Sequence, residues 1–471
     1  MARSELAVGD RIEHLELEEA WLVDPGAGRE GPASLLVEHG VIVEVDWARR
    51  GSRKAPSVVV APGLVDLHAH LREPGDEDAE TIASGLAAAA HGGFTTVCLM
   101  PNTNPPIDRP EGVARILSAA AASGSPVRAV PYGTISLGRE GHALAPMAAL
   151  AAAGAGGFSD DGAPIDDPEL LRAALTEAGA LGLVIVEHPE DRSLTAGAEA
   201  NEGLPATILG LAGAPRAAEA AAVGRAVAVL RQVVAEAPVG VRPRLHLTHV
   251  STAVALAIVR GAKAEGLPLT CDVTPHHLAL HDGWLGGDRR FAWEVGSSPW
   301  SGGPTAAPPY DASTLVNPPL RSPADALALL AGLEDGTVDA IATDHAPHRS
   351  IDKDVPFGEA LPGISGLETA LSLVLLAVDA GHLSLATAMR ALVVGPRRIL
   401  ADATPTAAAS SFEGRAPADL VVFDRGDPWT VTQETLRSKG RNTPLLGREL
   451  PGRVLLTVAG GRVAYLDPAL D

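Results

Sequence analysis

The chain has 471 residues, 46% of them hydrophobic and 20% charged, enough for a large core and for more than one small domain. Its 58 acidic side chains outnumber 37 basic ones, for a formal net charge of −21, which argues against nucleic acid or an anionic membrane as partner. A small anion met by a local cluster of cations stays open. The two cysteines, Cys98 and Cys271, lie in apolar runs without CxxC spacing and read as buried free thiols, not a disulfide framework. No basic segment followed by an apolar run opens the chain, and no uninterrupted apolar stretch reads as a membrane span, so a cytoplasmic protein is expected.

In chain order, residues 1–61 contain short alternating runs, 34–37 and 41–45, separated by Gly and Pro turns. Residues 404–471 behave alike, with runs at 419–423, 453–458 and 462–465. Both ends are expected to build one small β-sandwich-like domain. Residues 62–403 follow another rule, in which a short apolar strand, a polar end and an Ala/Leu-rich helix recur. The strands are read at 63–70, 95–100, 127–133, 156–160, 183–187, 244–249, 268–273 and 339–343, with helices at 79–91, 111–122, 168–181, 217–236 and 252–265. Eight such alternations predict an α/β fold, a (β/α)8 TIM barrel, rather than an open doubly wound sheet. No GxGxxG follows a strand and no GxxxxGK[ST] occurs, so nucleotide binding has no support.

A TIM barrel presents its chemistry at the C-terminal ends of its strands. Strand one ends in Asp66-Leu67-His68-Ala69-His70, and alternation puts His68 and His70 on one side. Alone, that pair reads equally well as two hydrogen-bonded surface histidines. The other ends add Asp160-Asp161, His188, His249 and Asp344. Nitrogen and oxygen donors concentrated this way suit a divalent cation, zinc foremost, because buried imidazoles and carboxylates without one would cost several kcal/mol. Six ligands, His68, His70, Asp161, His188, His249 and Asp344, suggest two ions, His68 and His70 on one and His188 and His249 on the other. Asp161 is placed to bridge them, and Asp160 is its rival, since neighbours on a strand face opposite ways. The four lysines, Lys54, Lys263, Lys353 and Lys439, all lie away from the end of strand four, so a carboxylated lysine bridge is a poor match.

Several longer motifs surround these residues: 62–75 (PGLVDLHAHLREPG), Met100-Pro101-Asn102-Thr103, Phe158-Ser159-Asp160-Asp161-Gly162, Thr274-Pro275-His276-His277, Asn317-Pro318-Pro319-Leu320-Arg321 and 342–348 (ATDHAPH). As a set they resemble the dihydroorotases, amidohydrolases of the bacterial class with an aspartate bridge, through the whole barrel and into Ser438-Lys439 and Asn442-Thr443-Pro444. The resemblance implies a reversible, zinc-dependent cyclisation of N-carbamoyl-L-aspartate to L-dihydroorotate in pyrimidine biosynthesis, with two Zn2+ per subunit. It implies that Arg72, Asn102 and His348 hold the substrate carboxylate and that Asn317 contacts the ring, with a backbone contact from Pro362 and Gly363. Asp344 would serve as general base and then acid. A homo-oligomer is implied, with aspartate transcarbamoylase as the candidate protein partner. The rivals are a hydantoinase or allantoinase, which carry the lysine bridge, and a non-catalytic scaffold, which would have lost ligands.

Between His281 and Asn317 runs a Gly/Pro-rich stretch with Trp284, Trp293, Trp300 and Tyr310, longer than usual for that family. It is expected either as a lid wall or subunit contact, or as an insertion packed on its own barrel. His276, His277 and His345 are read as supporting residues rather than ligands.

Overall fold

The computed structural model describes residues 6–47, 57–295, 306–400, 411–412 and 416–468. Its centre holds eight short parallel strands: Leu64–Ala69, Phe94–Leu99, Arg128–Pro131, Phe158–Ser159, Ile185–Glu187, Leu245–Leu247, Leu269–Val273 and Ala340–Ile341, here strands one to eight. Seven fall inside segments expected from the sequence, and strand two begins one residue earlier than the expected 95–100. Strands one to three form one parallel sheet and strands four to eight another. A parallel bridge Gly133↔Phe158 joins three to four, and a second, Ala69↔His345, joins the chain after strand eight to strand one. Strands one and two are buried at every residue, as parallel strands covered on both faces must be.

The intervening helices start where the sequence supplies caps. Pro168–Leu181 has Asp167 as N-cap, Pro at its first position and Gly182 at φ 74° ending it. Ala253–Ala264 is capped by Thr252. The helix expected from residue 79 begins instead at Ile82, because Thr81 accepts from Ser84 N and forms a capping box. The displaced Glu80 is buried and bonds elsewhere.

Both flanks of the chain feed one seven-stranded sheet. Its order is Arg462–Leu466, Arg453–Ala459, Leu420–Asp424, Val58–Pro62, His14–Asp24, Arg29–Glu38, Val41–Trp47. Strand alternation gives this sheet two jobs. Val60, Leu420 and Val422 pack with Leu22 and Leu35 in a separate core, whereas Val59, Val421 and Phe423 join the large core around the parallel strands. Among the described residues no helix is long and apolar enough to cross a membrane.

Much of the Trp-bearing stretch packs on the chain itself. Trp284 is fully buried, donates from Nε1 to Arg290 O at 2.7 Å and lies beneath the guanidinium groups of Arg289 and Arg448. Trp293 stacks on Phe291, and Tyr310 donates to Leu209 O at 2.8 Å. Trp300 lies outside the described residues.

Candidate active site

The strand ends bring the six expected side chains together, all buried. Asp161 stands in the middle. Its Oδ2 lies 3.3 Å from His68 Nε2 and 3.5 Å from His70 Nε2. Its Oδ1 lies 3.5 Å from His188 Nδ1 and 3.6 Å from His249 Nε2. Asp344 Oδ1 closes the first side, 3.1 Å from His70 Nε2 and 3.4 Å from His68 Nε2. Asp160 is turned away, accepting from Ile135 N at 2.8 Å, Ser136 N at 3.1 Å and the Ser136 hydroxyl. Of the two neighbours, Asp161 is therefore the one that faces the four imidazoles.

Three imidazoles have their outer nitrogen anchored, which fixes the inner one. His68 Nδ1 bonds Thr248 Oγ1 at 2.7 Å, His70 Nδ1 bonds Asn102 Oδ1 at 2.9 Å, and His188 Nε2 bonds Glu190 Oε2 at 3.2 Å. Such outer partners select the tautomer whose free lone pair points inward. His249 is held through its backbone, with N donating to Asp272 at 2.6 Å. Asp272 also takes His246 Nε2 at 2.7 Å. Across the rim, Asp66 accepts from Thr343 N at 2.7 Å and Thr343 Oγ1 at 2.6 Å, fixing the turn that carries Asp344. Arg72, His249 and Asp344 all adopt left-handed backbone, with φ of 60°, 40° and 46°. Non-glycine residues rarely hold that conformation, and here it accompanies the placing of His249 and Asp344 in the cluster and of Arg72 against Pro347 and His348.

The electrostatics are those of a site arranged for positive charge. Burial opposes ionisation of Asp161, yet His68, His188 and His249 hold its carboxyl well below the usual range. Burial likewise pulls His68 and His188 down, but the facing carboxylates outweigh it and raise them to about 9 and about 10. The cluster thus favours positive charge at its centre. Divalent ions there would take up the inward nitrogen lone pairs and would satisfy buried atoms that otherwise lack hydrogen bonds, Asp161 Oδ1 among them. Ligand atoms of His68, His70 and Asp344, and those of His68, Asp161 and His249, lie within 4.8 Å of one another in two groups able to hold a metal. The donor set fits.

The expected anion-binding residues line the same rim. Arg72 Nε donates to Pro347 O at 3.1 Å, and its Nη2 lies 3.4 Å from His348 Nε2. His348 Nε2 is also 2.9 Å from Pro362 O, an acceptor only, so that nitrogen carries the proton. Burial, and then Arg72, pull its imidazole down to about 3. Gly363 donates N–H to Leu315 O at 2.8 Å and accepts from Asn442 Nδ2 at 2.9 Å. A side chain there would meet Ala346 O at 2.7 Å and His348 Nε2 at 2.9 Å, with φ at 148°, so glycine is required. Asn317 is exposed and donates to Glu190 at 3.2 Å. His277 is taken up by Thr274 and Pro318, and His345 by Glu80 and Gly366 N, in supporting positions.

Three described lysines lie elsewhere: Lys263 on Asp339, Lys353 on the Ala312 carbonyl and Lys439 on the Glu77 carbonyl. Lys54 lies outside the described residues. Sequence reasoning did not single out Glu190 or Asp272, and it gave Asn442 only as part of a motif, with no role. Glu190 left a local sign, a carboxylate two residues beyond a candidate ligand.

A family model described as Dihydro-orotase-like matches residues 57–252. The protein named dihydroorotase from Anaeromyxobacter sp. (strain K) is 43% identical over 462 residues, 97% of this chain and 99% of that one. Its counterpart from Geobacter metallireducens is 40% identical, over 94% and 97%. The chain belongs to the dihydroorotase family. Among solved structures, the L-hydantoinase (dihydropyrimidinase) from Arthrobacter aurescens superposes with a TM-score of 0.75 at 23% identity, over 95% of both chains. The D-hydantoinase from Thermus sp. gives 0.71 at 20% identity, over 96% of this chain and 95% of that one. At those identities the likeness speaks for the fold alone.

Proposed function

We propose that this chain is a dihydroorotase, opening L-dihydroorotate to N-carbamoyl-L-aspartate and closing it again, with His68, His70, Asp161, His188, His249 and Asp344 holding two zinc ions. The observation that carries the reading is the division of Asp161, one oxygen toward each imidazole pair. Bound there, divalent ions supply Lewis-acid polarisation of the ring carbonyl and make water a nucleophile at neutral pH. Asp344 takes the proton of the attacking water and gives it to the departing ring nitrogen. Its carboxyl suits the first task, since His68 and His70 outweigh burial and keep it ionised.

The substrate carboxylate is assigned to Arg72, Asn102 and His348. Arg72 commits Nε to Pro347 O and keeps its terminal nitrogens for a carboxylate, which a guanidinium can grip through two bonds. Asn317 faces the ring. The Pro362 and Gly363 carbonyls each retain a second lone pair for it. Run backwards, Asp344 protonates the departing hydroxyl as the ring closes.

The scaffold belongs to the same reading. A closed (β/α)8 barrel over 62–403 is supported by the bridges between the two parallel sheets and by one buried cluster drawing Val65, Leu67, Cys98, Val130, Val186 and Ala340 from five strands. Residues 1–61 and 404–471 are assigned to a small domain. Its sheet has a core lined by its own strands together with Ile12, Phe412 and Ala418, which favours a sandwich-like fold over itself.

The test is turnover of dihydroorotate, in both directions, measured beside the metal content of the same preparation. Two equivalents of zinc with dihydroorotate turnover support the reading. Turnover of hydantoin or allantoin without dihydroorotate, or no turnover with metal fully loaded, overturns it.

A further inference from the structure

Glu190 lies where the cation cluster meets the ring-facing side of the rim, and the mechanism above gives it no task. Its Oε2 accepts from His188 Nε2 and from Asn317 Nδ2, both at 3.2 Å, while Oε1 accepts from Thr195 Oγ1 at 2.5 Å. Glu190, Thr195, Asn317 and Pro362 line one cleft of about 280 Å³. One oxygen therefore touches both an imidazole turned to the cations and an amide turned to the substrate space.

We infer that Glu190 is a positioning residue that sets the tautomer of His188 and the amide orientation of Asn317 together, so that Asn317 presents its carbonyl oxygen to a ring N–H of the substrate. An ionised carboxylate only accepts hydrogen bonds. His188 must then carry its proton on Nε2, leaving the Nδ1 lone pair toward Asp161 and the ions. For the same reason Asn317 must turn Nδ2 to Glu190, which leaves Oδ1 free. A free carbonyl oxygen selects a donor, so the site reads a cyclic amide or ureide by its N–H. A ring without that hydrogen leaves Oδ1 unpaired and is disfavoured. The Asn317 half of this assignment rests on the dihydroorotase reading; the His188 half does not.

Four variants test it: E190A, E190Q, N317A and E190A/N317A, each folded by its thermal midpoint. Zn2+ affinity is read by competition with a chromophoric chelator, and KM for dihydroorotate at saturating Zn2+. E190A should lose about 10–100-fold in Zn2+ affinity, the usual effect of removing the outer partner of a ligand imidazole. It should also raise KM roughly tenfold, as loss of one oriented hydrogen bond does. E190Q keeps an acceptor oxygen and should recover most of both. N317A should raise KM with Zn2+ affinity unchanged, and the double variant should have the KM of N317A. Wild-type Zn2+ affinity in E190A overturns the His188 half, and KM effects that multiply in the double variant overturn the Asn317 half. Absence of wild-type turnover sinks the dihydroorotase reading and the Asn317 half with it, while the Zn2+ titration still decides the other.

Discussion

The rim of the parallel strands and the seven-stranded sheet solve opposite problems. In the sheet, alternate side chains divide between two apolar cores, and no described residue there has a buried side-chain nitrogen or oxygen without a partner. At the rim the apolar logic fails on purpose. All the described buried polar atoms lacking a partner fall between Tyr132 and His348, including Asp161 Oδ1, His249 Nδ1, His276 Nε2 and His348 Nδ1. Each such atom costs about 1–3 kcal/mol if nothing arrives to meet it. One region is stable as it stands, whereas the other is arranged for guests.

That contrast can be broken at either end. The largest effect should come from Asp344→Asn, which keeps a side chain of the same shape beside His68 and His70. It should retain metal and lose about 10²–10⁴ in kcat, the usual contribution of a general acid–base group. Near-normal turnover in that variant would refute the assigned role. On the sheet side, Leu22→Ala empties a fully buried position and should cost about 2–5 kcal/mol in urea unfolding with kcat unchanged. A drop in kcat there would mean that the two regions are not independent. Between them lies Gly363→Ala, where the new methyl meets backbone at a positive φ. About 1–3 kcal/mol of stability should be lost, with KM raised because His348 must shift.

The last effect is in pH and vanishes at neutrality. Burial pulls the His281 imidazole down to about 4, against about 6.5 for an unfolded histidine. Between those values the unfolded chain binds a proton that the folded chain refuses, so stability falls as pH drops from 6.5 to 4. The slope is at most about 1.4 kcal/mol per pH unit for each such group. Asn at 281 keeps an acceptor for Gly283 N and removes the titration, so urea midpoints of His281→Asn should fall less steeply over that range. A parallel fall in both proteins would remove His281 as a cause.

What could be read from the sequence follows the same division. Most of the eight strands were legible because strands one, four, five, six and eight end in residues that have no business in an apolar run, such as Asp66-Leu67-His68-Ala69-His70. Asp272 was not, since it sits inside strand seven and its partners His246 and His249 are 26 and 23 residues away. Asn442 stood in a quoted motif, but its role did not show, because the His348 N–H it accepts from lies 94 residues away. The longest strand of the sheet, His14–Asp24, escaped notice for a local reason. Its register shifts between Leu17 and Ala20, which breaks the period of two on which strand reading depends. The choice between Asp161 and Asp160 needed a third dimension, the Ser136 loop that claims Asp160.

Strand Val58–Pro62 has His14–Asp24 on one side and Leu420–Asp424 on the other. During synthesis its second neighbour leaves the ribosome only after the entire hydrolase body has been made. Until then one of its edges offers bare amide and carbonyl groups, an invitation to pair with the wrong strand. Strand Leu420–Asp424 is therefore the clasp that ends this vulnerability, and a premature stop before residue 420 would leave His68 to Asp344 encoded but the nascent protein exposed to aggregation and proteases.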